Sequence, residues 1–122
     1  MNQEIDLNAF REYGFEVYET VTCGLKLVRG HCEIHVEVVP GGVLMEIPVA
    51  RLPRERKDTG PVFQYLLERN AQMKGPGFFG VRDGCIFYRT LWRSGESVAE
   101  VARELQETVE RLGPKILNLL SA

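Results

Sequence analysis

The spacing of apolar residues changes twice along this chain, and that change limits the fold more than any other feature. From Leu25 to Leu52 apolar residues recur at every second position, the period of a half-buried strand. Before this stretch Ile5, Leu7, Phe10 and Tyr13 lie near helical spacing. After it, Val62, Phe63, Leu66, Leu67 and Asn70 do so again, followed by Val98, Val101, Leu105, Val109, Leu112, Ile116 and Leu119. Between the last two helical runs stands Asp83-Gly84, flanked by Phe78–Arg82 and Cys85–Trp92, a strong hairpin signal. The expected order is helix, β, β, β, helix, β, β, helix: an α+β fold with an antiparallel sheet.

Punctuation sharpens these limits. A first helix over 4–13 should end at Gly14 in the left-handed C′ position, with Phe15 closing over Phe10. From about residue 16 the β-branched Thr20, Val21 and Thr22 favour extension, although Val17 and Val21 also fit a longer helix. Gly30 and Pro40-Gly41-Gly42 separate the runs Leu25–Arg29, His31–Val39 and Val43–Leu52, as in a meander. Pro48 has no N–H, which places it at a sheet edge or a bulge. Arg51 to Asp58 reads as a charged loop. Helix two opens at Thr59 or Gly60 with Pro61 in its first turn and stops at Lys74-Gly75-Pro76-Gly77. Ser97 and Glu100 have the spacing of a capping box. The last helix keeps its apolar phase across Gly113-Pro114 and so reads as one kinked helix.

At 122 residues, one domain over 1–122 is expected. Fifteen basic and 17 acidic residues are interspersed, with a net charge of −2, and this argues against nucleic acid as a partner. No apolar run reaches the roughly 20 residues that cross a bilayer, so no membrane role is expected. The first residues lack a signal-peptide pattern, and three cysteines is an odd number. Free thiols in a reducing cytoplasm follow.

The arrangement resembles the type III secretion chaperones (the CesT-like fold) and the YbjN-type bacterial domains related to them. The likeness is carried by Leu-Asn-Ala-Phe-Arg-Glu-Tyr-Gly-Phe at 7–15 and Val-Leu-Met-Glu-Ile-Pro-Val-Ala-Arg-Leu-Pro at 43–53. A third piece, Val-Phe-Gln-Tyr-Leu-Leu-Glu-Arg-Asn at 62–70, precedes a Gly-containing gap and the hairpin. The resemblance implies cytoplasmic homodimers that hold a partner chain, with helix two and the hairpin involved in pairing. The charge of −2 is more modest than the acidity usual in dedicated secretion chaperones.

Candidate chemistry is sparse. In His31-Cys32-Glu33-Ile34-His35 the cysteine faces away from both histidines, which stand about 13 Å apart along a strand at ~3.3 Å per residue. No metal site is expected there. Cys85 follows a tight turn, but no base is placed beside it by the sequence, so no nucleophile is assigned. Gly75-Pro76-Gly77 and Gly80 lie between a helix and a hairpin, not in the strand–loop–helix context of a phosphate loop. Arg51, Arg54, Arg56 and Lys57 are diluted by Glu55 and Asp58, as in a solvated loop. No cofactor and no enzymatic activity are expected.

One surface stands out. A two-residue turn pairs Val81 with Ile86, Gly80 with Phe87 and Phe79 with Tyr88. One hairpin face then carries Phe79, Val81, Ile86, Tyr88 and Trp92. The other carries Phe78, Arg82, Phe87, Arg89 and Leu91, a mixture of aromatic residues and arginine that interfaces favour. Leu117 and Leu120 lie off the seam of the last helix and add apolar surface beyond what one core requires. These seven residues are the expected partner or dimer interface of a homodimeric module binding a protein or peptide. The alternative is a small-molecule sensor or regulatory domain with a pocket between helix and sheet.

Overall fold

The computed structural model describes residues 5–20, 24–55 and 58–121. Four strands precede the second helix: β1 (Glu16–Glu19), β2 (Gly24–Arg29), β3 (Cys32–Val39) and β4 (Gly42–Arg51). They follow helix α1 (Leu7–Glu12). Helix α2 (Gly60–Gln72), β5 (Phe78–Arg82), β6 (Cys85–Trp92) and helix α3 (Val98–Ser121) complete the chain. The α+β antiparallel class holds, with one more strand than the expected string. The extended stretch from residue 16 makes a strand of its own ahead of the three-stranded meander; Val21 and Thr22 lie outside the described residues.

The junctions follow from local chemistry. Phe15 N–H donates to the Phe10 carbonyl at 3.1 Å and Gly14 N–H to the Arg11 carbonyl at 2.9 Å, the paired bonds of a Schellman ending. The Phe10 and Phe15 rings then meet edge to face at 6.5 Å. Asp83 and Gly84 take positive φ of 52° and 73°, as a type I′ turn demands. That turn sets the expected register, with Val81 opposite Ile86, Gly80 opposite Phe87 and Phe79 opposite Tyr88.

The strands form one antiparallel sheet in the order β1-β2-β3-β4-β6-β5. Strand β4 is therefore interior, and Pro48 does not lie on an edge strand. The sheet accommodates it by a register shift between Pro48 and Ala50. The true edges are β1 and β5. The three helices share one face: α3 packs on β3, β4 and β6, α2 on β5 and α1 on β1. Leu27, Ile34, Val36, Val43, Met45, Ile47, Ile86 and Tyr88 point into this layer and are buried.

Two details differ from the helical spacing. The stripe of α3 on the core includes Ala99 and Ala102, while Val98 and Val101 are half-buried. Alanine lets the helix axis come closer to the sheet, and a periodicity weighted by side-chain size passes over it. In α2, Val62 and Leu66 are buried but Leu67 is 67% exposed. Helix α3 runs unbroken past Pro114, which lacks the N–H that would bond the Glu110 carbonyl.

Asn70 fastens α2 to the sheet. Its Nδ2 donates to the Phe79 carbonyl at 3.0 Å, and its Oδ1 accepts from the Phe79 N–H at 2.8 Å. The side chain thus acts as a one-residue strand partner on the β5 edge. Replacing it by alanine strands two main-chain groups, at a cost of about 2 kcal/mol. Urea unfolding should show that loss in Asn70→Ala, with Asn70→Asp losing less because it keeps the acceptor.

Candidate functional site

The face of the sheet opposite the helices is bare among the described residues. One row crosses all six strands: Tyr18, Lys26, His35, Glu46, Arg89 and Phe78 stand side by side. In the neighbouring rows Leu44 lies opposite Leu91, and Phe87 opposite Gly80. Phe78 is 46% and Leu91 40% exposed, and Phe87 is half-buried. Alternation along β5 and β6 keeps these side chains outward because Phe79, Ile86 and Tyr88 point inward to the core.

Glu46 organises the centre of this face. It is 8% exposed, although it points away from the core cluster. Its Oε2 accepts from Arg82 Nη2 at 2.9 Å, and its Oε1 from Arg82 Nη1 at 3.3 Å and Arg89 Nη2 at 3.1 Å. The Arg82 guanidinium also lies over the Phe87 ring, 4.6 Å from its centroid. Two arginines against one carboxylate leave one positive charge in excess, beside exposed aromatic and aliphatic surface. Both arginines are about half exposed, so solvent screens the ion pairs; their main effect is to hold both guanidinium groups beside Glu46 on the sheet.

The structure thus brings Phe78, Arg82, Phe87, Arg89 and Leu91 together on one surface. Leu117 and Leu120 are not part of it, because α3 packs on the other side of the sheet. Leu117 is 53% exposed on the helical layer, and Leu120 is half-buried against the core. Glu46 does not stand out in the sequence as a residue of this surface. Its one sequence signal is a lone carboxylate in the otherwise apolar run 43–50; the β4–β6 pairing sets it opposite Arg89.

A second feature lies where β3 and β4 part. A cavity of about 650 Å³ opens between the start of β3, residues 47–49 of β4, and Gln106, Val109 and Glu110 of α3. Cys32 faces it, on the opposite side of β3 from the exposed His35. Burial and the Glu110 carboxylate push the Cys32 thiol up to about 11, with Arg29 partly opposing and Glu33 adding to the rise. A free thiol ionises near 9, so this group's contribution to stability is fully present below pH 9 and lost as pH rises to about 11. In a variant keeping only this cysteine (Cys23→Ser with Cys85→Ser), the iodoacetamide rate should therefore stay low at neutral pH and climb towards pH 11. No group of three or more His, Cys, Asp or Glu side chains among the described residues could hold a metal ion. No described helix is long and apolar enough to cross a membrane.

No protein-family model matches the chain, and no curated protein matches it. Among solved structures, it is similar to a chain of the heterodimeric ExoU-SpcU complex from the type III secretion system of Pseudomonas aeruginosa. The identity is 17% and the TM-score 0.67, over 93% of this chain and 95% of that one. At this identity the agreement is one of architecture, and it extends over nearly the whole of both chains. The chain has the type III secretion chaperone-like fold.

Proposed function

We propose that this chain is a non-catalytic, chaperone-like module of the cytoplasm that binds a partner polypeptide across the bare face of its sheet and works as a homodimer. The observation that carries the reading is the grouping of Phe78, Phe87 and Leu91 around Arg82, Glu46 and Arg89 on a surface that none of the described helices covers. Aromatic residues and arginine in a cluster are what interface centres favour. The similar solved chain comes from a heterodimeric complex of a secretion system, which supports a protein as partner. The YbjN-type likeness of the sequence fits the same module.

Among the described strands, main-chain pairing is less obstructed at the β1 edge than at the β5 edge. On β5 the outward groups of Phe79 are occupied by Asn70, whereas β1 pairs only with β2. A partner segment can add there as a further strand, and a longer partner then has to cross about 20 Å of the bare face to reach the cluster on β5 and β6. Self-pairing fits the other surface, where Leu67 and Leu117 are exposed on the helical layer.

Native purification should recover a discrete polypeptide with the chain. Light scattering of the chain alone should return twice its mass, falling to one mass in Leu117→Glu while the partner is still bound. Recovery of no partner, or a monomer in the wild type, contradicts the corresponding half of the reading. A second reading, a small-molecule sensor, is favoured by the cavity between α3 and the sheet; a ligand-dependent rise in Tm without any partner marks it.

A further inference from the structure

Arg69 and Arg111 carry two positive charges that no described side chain answers. Arg69 stands on the last turn of α2 and Arg111 on α3, and both line one notch above Tyr88. Among the described residues neither forms an ion pair. The carboxylates closest to them along the two helices are engaged elsewhere. Glu107, one turn before Arg111, accepts from Arg103 Nη1 at 2.8 Å, and Glu68 accepts from Gln64 Nε2 at 3.0 Å. One turn after Arg111 comes Lys115, which is exposed, as is Lys74 next to Gly75. No described acidic residue lines the notch.

The turn after α2 builds this notch. A Cβ at Gly75 would run into the Tyr88 hydroxyl, so only glycine lets the main chain lie this close. Gly77 N–H donates to the same hydroxyl at 3.0 Å, and Tyr88 keeps its own proton to give. Thr108 Oγ1, which also lines the notch, donates to the Glu104 carbonyl at 2.8 Å. About 10 Å³ is left, room for one water-sized atom. Burial raises the Tyr88 hydroxyl above its ordinary value, opposed by the Gly77 N–H and by the charges of Arg111 and Arg69.

Two guanidinium groups thus reach one point from different helices. A planar carboxylate matches one such fork. A tetrahedral phosphate offers oxygens to both, and its charge of about −1.5 to −2 at neutral pH balances theirs. We infer that Arg69 and Arg111 bind a phosphate group across this notch, one oxygen entering towards the Tyr88 hydroxyl and the others held by the two guanidinium groups. Side chains supply the charge here, with no strand–loop–helix cradle. The inference goes beyond the partner-binding reading and does not rest on it, because the notch lies in the helical layer and not on the bare face.

The test is an NMR titration of the ¹⁵N-labelled full chain with inorganic phosphate, glycerol 3-phosphate and acetate at constant ionic strength. At least one of the two phosphates should give saturable shifts of the Gly75, Gly77 and Thr108 amides, at an affinity roughly tenfold or more above acetate. Weaker binding of the ester identifies the free ion as the ligand. Equal or tighter binding of the ester identifies a phosphate group on an organic body. Arg69→Gln and Arg111→Gln should each weaken phosphate about tenfold, the size of one hydrogen bond to a charged group. Arg111 is exposed, so its variant should keep the wild-type urea midpoint, which separates a lost site from lost structure. Acetate binding within tenfold of both phosphates, shifts that do not saturate, or a phosphate affinity unchanged in either variant overturns the inference.

Discussion

Gly77→Ala is expected to destabilise the protein by about 3 kcal/mol, at the upper end of the range for overpacking a filled core. Gly77 is buried where the chain leaves α2 and enters β5, and a Cβ there would run into the Arg89 carbonyl and press on Leu105 at 3.3 Å. The carbonyl cannot yield, because β6 is paired on both sides, to β4 and to β5. The same residue donates its N–H to the Tyr88 hydroxyl at 3.0 Å, a bond made in the core. Displacing Gly77 therefore disturbs the contact that starts the hairpin, and with it the register that puts Phe78 beside Arg89. Gly80→Ala is the matched control. An added Cβ at Gly80 has nothing within 4 Å, and its stability should change by less than about 0.5 kcal/mol. Urea unfolding of the two variants checks both expectations.

The second large effect is on binding. Phe87→Glu with Leu91→Glu should lower affinity for the partner polypeptide at least 100-fold, because hot-spot residues near an interface centre each contribute about 2 kcal/mol or more. The fold should survive, since Leu91 is 40% exposed and neither side chain belongs to the buried core cluster. Arg89→Glu should act in the same direction by reversing the excess positive charge around Glu46. Unfolding curves measured beside the affinities separate lost binding from lost structure.

Most of the fold was legible because its signals are local. Asp83-Gly84 demands a particular turn, and that turn dictates register for the whole hairpin, so the sorting of Phe78, Arg82, Phe87, Arg89 and Leu91 onto one face followed from alternation. Gly14 and Phe15 likewise announced the end of α1. What escaped depends on contacts distant in sequence. Pro48 announced an edge or a bulge, and only the pairing of β4 with β6, which nothing local states, decides for the bulge in an interior strand. Leu117 and the hairpin seemed to form one apolar surface until the sheet came between them. Glu46 reads as an ordinary outward carboxylate, and only the pairing of Glu46 with Arg89 and the reach of Arg82 reveal it as the centre of the face. Gln106 sits at a position where a helical pattern expects a polar residue at the edge of a stripe, and its burial goes with a bond to the Arg29 carbonyl, a contact distant in sequence.

Photo-crosslinking from single positions tests the partner-binding face most directly. With a benzophenone side chain placed at Leu91, at Phe78, and at Glu107 on the outer side of α3, native cells are irradiated and the adducts sized and sequenced. The account predicts one discrete foreign polypeptide captured from 91 and 78 and not from 107. Capture from 107 alone, or no adduct from either sheet position, contradicts it.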